Sequence, residues 1–395
     1  MKILYIANTR IPTEKSYGMA MMKLCESFAD AGAEVEFVIP TRRNPAFCGV
    51  DVFRHYGVKR NFRIVELPCM DLMDPPIPSR LSFPLGFVQY FLFVRALLRY
   101  LRGKEKAIIF SREPRILYLL RKLPNFKAYE IHLYPENMRF FYRKLLRAVD
   151  KIIVTNSWKK AKLVAEYAVA EEKIGVVPNA ADVEAFLHTP ISQSEARERV
   201  GLPKHKKLVL YVGGFQHWKG VYVLAKSVPF LPKDIELHLV GGGPEPERSR
   251  FLQYLAKKSN GAVFIHEAVP HTEVPFYLAA ADLLVAPGSR LYKEGAFYSS
   301  PLKVFEYVAS GRPFILTDLS SFREALTAAL GREDLSDISH LLVQPNDPKA
   351  LAAAIVHALA HVQEWTPLVD TEDMRQRLSW TRRGERIIAL FPKET

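Results

Sequence analysis

The sequence predicts an α/β protein with two doubly wound parallel sheets, one in each half of the chain. Three observations carry this. Short β-branched and aromatic runs alternate with longer segments of helical periodicity. The alternation stops near Pro178 and starts again some twenty-five residues later. At 395 residues the chain exceeds what one hydrophobic core usually organises. Apolar residues make up 49% and charged residues 25%, ordinary soluble usage that excludes a disordered or fibrous chain.

In chain order, the first half offers strands at Ile3–Ala7, Val35–Ile39, Phe62–Leu67, Ala107–Phe110, Ala128–Ile131, Lys151–Val154 and Ile174–Val177. Helical segments such as Met19–Ala31, Asn137–Val149 and Ser157–Ala168 separate them, which is the pattern of βαβ units. Pro178 to about Pro203 is polar, shows no strand pattern and reads as the inter-domain connection. The second half offers strands at Leu208–Val212, Ile235–Val240, Val263–Ile265, Leu283–Val285, Phe314–Leu316 and Leu341–Val343. Thr371 to Phe391 reads as a charged helix pair packing back on the first domain. The expected domains are therefore 1–180 with 371–395, and 181–370.

Cys25, Cys48 and Cys69 are odd in number and lack metal-ligand spacing, so reduced thiols in the cytoplasm are expected. The apolar start Met1–Ala7 is cut off by Asn8, Arg10 and Pro12 before a signal-peptide core can form. Leu81–Leu98, interrupted by Pro84, Gln89 and Arg95, falls short of a membrane span. The net charge of +13 fits nucleic acid, an anionic membrane surface or a phosphorylated small substrate. Residues 87–106 join an apolar run to Arg95, Arg99, Arg102, Lys104 and Lys106. That segment fits either a helix lying on an anionic membrane or a core-facing helix with a solvated basic end. Aromatic residues are not interleaved with cations in any recognised nucleic-acid module, so no nucleic-acid partner is expected.

Ligands of open parallel sheets bind beyond the carboxyl ends of the strands, so the chemistry is sought in those loops. Gly213-Gly214-Phe215-Gln216-His217-Trp218-Lys219-Gly220 follows a strand and opens a helix. Its glycines, helix-start N–H groups and lysine suit a diphosphate, and a plain glycine turn fits as well. The spacing is not that of a P-loop. A second turn, Gly241-Gly242-Gly243, ends the next strand and fits either positive φ or tight packing. In the third element, Ser299-Ser300-Pro301-Leu302-Lys303, hydroxyls precede a helix with Pro301 in its first turn and Gly311 past its end. Val304, Phe305, Val308 and Ala309 form the apolar stripe of that helix, and Glu306 lies off it.

These elements in this order resemble the retaining glycosyltransferases of family 4, with the GT-B fold. The resemblance extends to Val154-Thr155-Asn156-Ser157, Val177-Pro178-Asn179, the stretch from His271 to Pro287, and Ser379-Trp380. It implies a sugar donated by a nucleoside-diphosphate sugar to a glycan, lipid or small-molecule acceptor, in cell-envelope or polysaccharide biosynthesis, with no metal or other cofactor. It implies that Lys219 binds the donor diphosphate and that Glu306 holds the ribose hydroxyls. Gly213, Gly214, Gly241 and the turn Ser299, Ser300, Pro301, Leu302 and Lys303 would line the donor site. Gly18, in the loop after the first strand, would lie near acceptor and diphosphate, and His132 would reach the donor sugar. His132, Lys219 and Glu306 are thus the candidate catalytic residues. Two departures stand out: Gly214 where the family often has arginine, and Tyr298 where it often has the first of two glutamates. A sugar-nucleotide epimerase of the same architecture and a non-catalytic sugar-nucleotide or glycan-binding subunit remain as alternatives.

Overall fold

The computed structural model describes residues 1–392 except 14, 43, 73–78, 189–190, 244 and 259–262. The chain forms two compact units, Met1–Val177 with Arg383–Thr395, and Pro178–Arg382. All thirteen expected strands are present, each bounded within a residue of its expected ends.

The first unit holds a seven-stranded sheet of β1 (Lys2–Ile6), β2 (Glu34–Pro40), β3 (Arg63–Leu67), β4 (Ile108–Ser111), β5 (Lys127–Ile131), β6 (Lys151–Val154) and β7 (Ile174–Val176). The order is β3-β2-β1-β4-β5-β6-β7, and every pairing is parallel. Ile3, Leu4, Ile6, Ile108, Ile109 and Phe110 are fully buried, because helices cover both faces of such a sheet. Local chemistry sets the helix ends. Asn156 caps helix Ser157–Tyr167 by accepting from the Lys159 N–H at 3.0 Å, and Ala168 closes it in the left-handed conformation.

The second unit holds a six-stranded parallel sheet of β8 (Lys207–Val212), β9 (Ile235–Val240), β10 (Val263–His266), β11 (Leu283–Ala286), β12 (Phe314–Thr317) and β13 (Leu342–Val343), in the order β10-β9-β8-β11-β12-β13. Each sheet changes direction beside its first strand, between β1 and β4 and between β8 and β11. Loops there diverge and leave room for a ligand.

Two boundary expectations are corrected. Residues 178–203 are not a bare connection: they form helices Val183–Leu187 and Gln193–Val200, and Ala181, Val183, Ala196 and Leu202 enter the core of the second unit. Residues 371–382 also belong to the second unit, where Leu378 is fully buried and Ser379 bridges to Ala181. Only the stretch from Arg383 onward joins the first. Among the described residues no helix is long and apolar enough to cross a membrane.

Candidate functional site

In the second unit the loops after β8 and β9 are locked together. Gly213 and Gly241 have φ of +143° and +141°, and a Cβ on Gly241 would lie 2.2 Å from the Gly213 carbonyl oxygen. The Gly213 N–H donates to the Val240 carbonyl at 2.8 Å, and the Phe215 N–H to the Gly242 carbonyl at 2.6 Å. These glycines are therefore required by backbone approach and left-handed geometry.

The absent side chain at Gly213 also makes room for Lys303, whose Nζ lies 2.6 Å from where a Cβ would sit. That ammonium donates to the Tyr211 hydroxyl at 3.0 Å and stands 4.3 Å from the centre of the same ring. The Tyr211 hydroxyl donates onward to the Gly214 carbonyl at 2.5 Å. Tyr211 thus ties the glycine loop to the helix that carries Lys303, a link with no short-range signal in the sequence.

The loop opens a helix as expected, but Lys219 lies just before it. It ends a single 3₁₀ turn, His217–Lys219, and its N–H bonds back to Gln216 at 3.0 Å, so that turn keeps its N–H for itself. Gly220 follows with φ of +74° and begins the short helix Val221–Ser227. Burial lowers the Lys219 ammonium to about 8, against an opposing pull from Glu306. Burial and then the Lys219 charge push Lys303 well below its ordinary value, with Glu306 again opposing. Among the described residues neither lysine has an acidic hydrogen-bond partner.

Lys303 lies in the first turn of helix Leu302–Ser310. Pro301 takes the N-cap position and offers no side-chain cap. The expected hydroxyl caps are employed elsewhere: Ser300 Oγ accepts from the Asn179 N–H at 3.1 Å, and Asn179 Nδ2 donates to the Ser300 carbonyl at 2.6 Å. Ser299 donates its N–H to the Glu294 carbonyl at 3.0 Å. Among the described residues no side chain caps the helix start, which carries the positive end of its dipole. Gly214 packs on Gln216, and Tyr298 is buried in the turn Glu294–Tyr298.

Glu306 is not a solvated residue. It is 8% exposed on a helix buried from Val304 to Ala309, and its Oε1 lies 3.0 Å from His271 Nε2. Its Oε2 carries no hydrogen bond among the described residues. His271 is the site residue that sequence reasoning missed, because thirty-five positions separate it from its partner.

The remaining candidates lie in the first unit. His132 follows β5 with its ring a third exposed but its Nε2 buried, 3.3 Å from Glu130 Oε1. Glu130 is fully buried between two guanidinium groups, with Arg112 Nε at 2.6 Å and Arg383 donating to Oε1. Burial alone would raise the Glu130 carboxyl, but Arg112 and Arg383 overcome it and hold it well below the carboxylate range. Burial and then Arg112 bring His132 down to about 4, so the imidazole is neutral at pH 7. Gly18 lies inside helix Ser16–Asp30, not in the preceding loop. There a Cβ would meet the Tyr56 hydroxyl at 2.5 Å, so packing accounts for the glycine.

Residues 206–361 match the family described as Glycosyl transferases group 1. A protein named "Putative teichuronic acid biosynthesis glycosyltransferase TuaC", from Bacillus subtilis, is 28% identical over 67% of this chain and 60% of its own length. A D-inositol 3-phosphate glycosyltransferase from Xylanimonas cellulosilytica is 28% identical over 55% of this chain and 50% of its own. The chain thus spans less than two thirds of these relatives. Among solved structures, sucrose-phosphate synthase from Thermosynechococcus elongatus superposes with a TM-score of 0.74 at 21% identity, covering 98% of both chains. Anabaena HepE in complex with UDP-glucose does so with a TM-score of 0.69 at 15% identity, again over 98% of each. At such identities the likeness speaks for the fold, which is GT-B with its two Rossmann-like domains.

Proposed function

We propose, for a chain whose residues 206–361 match the family described as Glycosyl transferases group 1, transfer of a sugar from a nucleoside-diphosphate sugar to a glycan, lipid or small-molecule acceptor. Anomeric configuration would be retained, the reaction would run in the cytoplasm, and the product would serve cell-envelope or polysaccharide assembly. One observation supports this reading above the others: Lys219 acts on the charge of Lys303, in the first turn of a helix with no side-chain cap, with a buried carboxylate one turn further in. The cations and helix N–H groups would bind the diphosphate and stabilise the charge that grows on it as the glycosidic bond breaks. Glu306, with Oε1 held by His271, would accept from the two ribose hydroxyls. Neutral His132 would meet the donor sugar without adding repulsion to its developing positive charge. No resident metal is part of the proposal.

Glu306→Gln is expected to weaken nucleoside-diphosphate affinity by roughly 1–3 kcal/mol, the worth of hydrogen bonds to a charged group. Calorimetric titration with UDP, GDP and ADP reads this and identifies the base, and undiminished affinity for all three would remove Glu306 from the site. Turnover of labelled sugar nucleotide with an acceptor panel separates the alternatives. An epimer formed without acceptor would indicate an epimerase. Binding without any turnover would indicate the non-catalytic subunit suggested by Gly214 and Tyr298.

A pH dependence follows from Lys219. A bound diphosphate would raise its depressed value, so binding above about pH 8 takes up a proton and affinity falls as pH rises. Well below that value the lysine is charged both free and bound, and contributes no slope. Heats of binding measured just above this pH in buffers of different ionisation enthalpy should reveal the uptake, and Lys219→Ala should reduce it. Equal uptake in that variant would exclude Lys219.

A further inference from the structure

We propose that the first unit docks on an anionic lipid surface through neighbouring helices at the carboxyl ends of its strands. Helix Ser79–Tyr100 links β3 to β4, and helix Arg139–Ala148 links β5 to β6. Right-handed crossovers put both on the same face of the sheet, each starting at the carboxyl end. Side chains confirm the neighbourhood. Tyr90 of the first helix feels the charges of Glu113 and Arg115, and Arg115 also acts on Tyr142 of the second. Tyr118, from helix Pro114–Leu119 between them, packs its ring 5.1 Å from Phe141.

Large apolar side chains stand in solvent on this surface: Phe87 is 67% exposed, Phe91 59%, Leu133 71%, Met138 59% and Phe140 73%. Met138 also has φ of +57°, a conformation disfavoured for a residue with a side chain, and its exposed thioether gains little packing in return. Helix Arg139–Ala148 has four cations, Arg139, Arg143, Lys144 and Arg147, and no acid. Arg139 pairs with Glu166 at 2.9 Å, while Arg143, Lys144 and Arg147 have no acidic partner among the described residues. Arg139, Arg143 and Arg147 repel one another at successive i,i+4 spacings, which costs an isolated helix stability. A helix face that carries only cations, beside protruding apolar tips, fits phosphate headgroups above acyl chains. It does not fit a second copy of the same face, where cation would meet cation.

The arrangement also revises the expected contact through residues 87–106. Arg102 lies roughly 22 Å along the helix direction from Phe87, at 1.5 Å per residue. Lys104 is bound to Glu36 at 3.0 Å. Arg95, exposed one turn beyond Phe91, is the cation of the first helix nearest these apolar tips, and the second helix supplies the rest of the charge. The surface lies wholly in the first unit and stands or falls independently of the donor reading.

Sedimentation with vesicles tests it, using phosphatidylcholine alone or mixed with phosphatidylglycerol. The protein should pellet with the mixed vesicles at low salt and be released by high salt. Partitioning of F87S/F140S should fall by about tenfold or more, and that of R143A/K144A should fall as well. Circular dichroism should report the same fold for each variant. No binding at low salt, equal binding to neutral vesicles, or undiminished binding of F87S/F140S would overturn the proposal. A dimer in solution that dissociates on the same phenylalanine replacements would overturn it too.

Discussion

Glu130→Ala is expected to destabilise the first unit by about 3–5 kcal/mol, the cost of leaving buried charges without their counter-ion. The carboxylate is fully buried and held by Arg112, Arg383 and His132. Without it, two buried guanidinium groups face each other with no counter-ion between them. Arg112 Nη2 already has no hydrogen-bond partner. Because Arg383 arrives from the C-terminal helix, the loss should also loosen that segment from the sheet. Differential scanning calorimetry would show the transition of the first unit falling by roughly 2–4 °C for each kcal/mol. A triple replacement of Arg112, Glu130 and Arg383 by methionine should recover much of the loss, since an apolar cluster of similar volume leaves no buried charge without its counter-ion. A shift under about 1 kcal/mol in Glu130→Ala would mean that the cluster relaxes or takes up water.

Gly220→Ala should be of similar size in the second unit. A Cβ there would lie 1.4 Å from the Pro287 carbonyl oxygen, at a φ of +74°. Neither partner is a flexible side-chain end, so the loops after β8 and β11 must part. Left-handed strain and overpacking together come to about 3 kcal/mol or more. Lys219 precedes this glycine, so nucleotide affinity should fall along with stability. Chemical denaturation monitored together with nucleotide titration would test both, and a variant of wild-type stability would show that the loops can separate freely.

The sheets were legible in the sequence because each buried strand is a compact β-branched or aromatic run ended by a turn, and thirteen such runs leave little choice of topology. What escaped notice depended on partners far along the chain. Helix Gln193–Val200 reads as a solvated linker, yet Arg197 is buried because it donates to Asp282 at 2.6 Å and to the Ala280 carbonyl at 2.9 Å. Glu306 was legible as a site candidate off the apolar stripe, but its burial against His271 was not, because that partner lies thirty-five positions away. Thr371 to Phe391 reads as a charged helix pair on the first domain. In the structure a kinked turn at Met374–Leu378 buries their apolar side chains in the second unit before the chain leaves it.

Lys219 and Lys303 crowd one small volume while the nearest carboxylate is already engaged by His271. If these cations bind the proposed diphosphate, attraction alone would make the site indiscriminate among the phosphate esters of a cell. Discrimination would then fall to the carboxylate, which rewards only visitors bearing a pentose with adjacent hydroxyls.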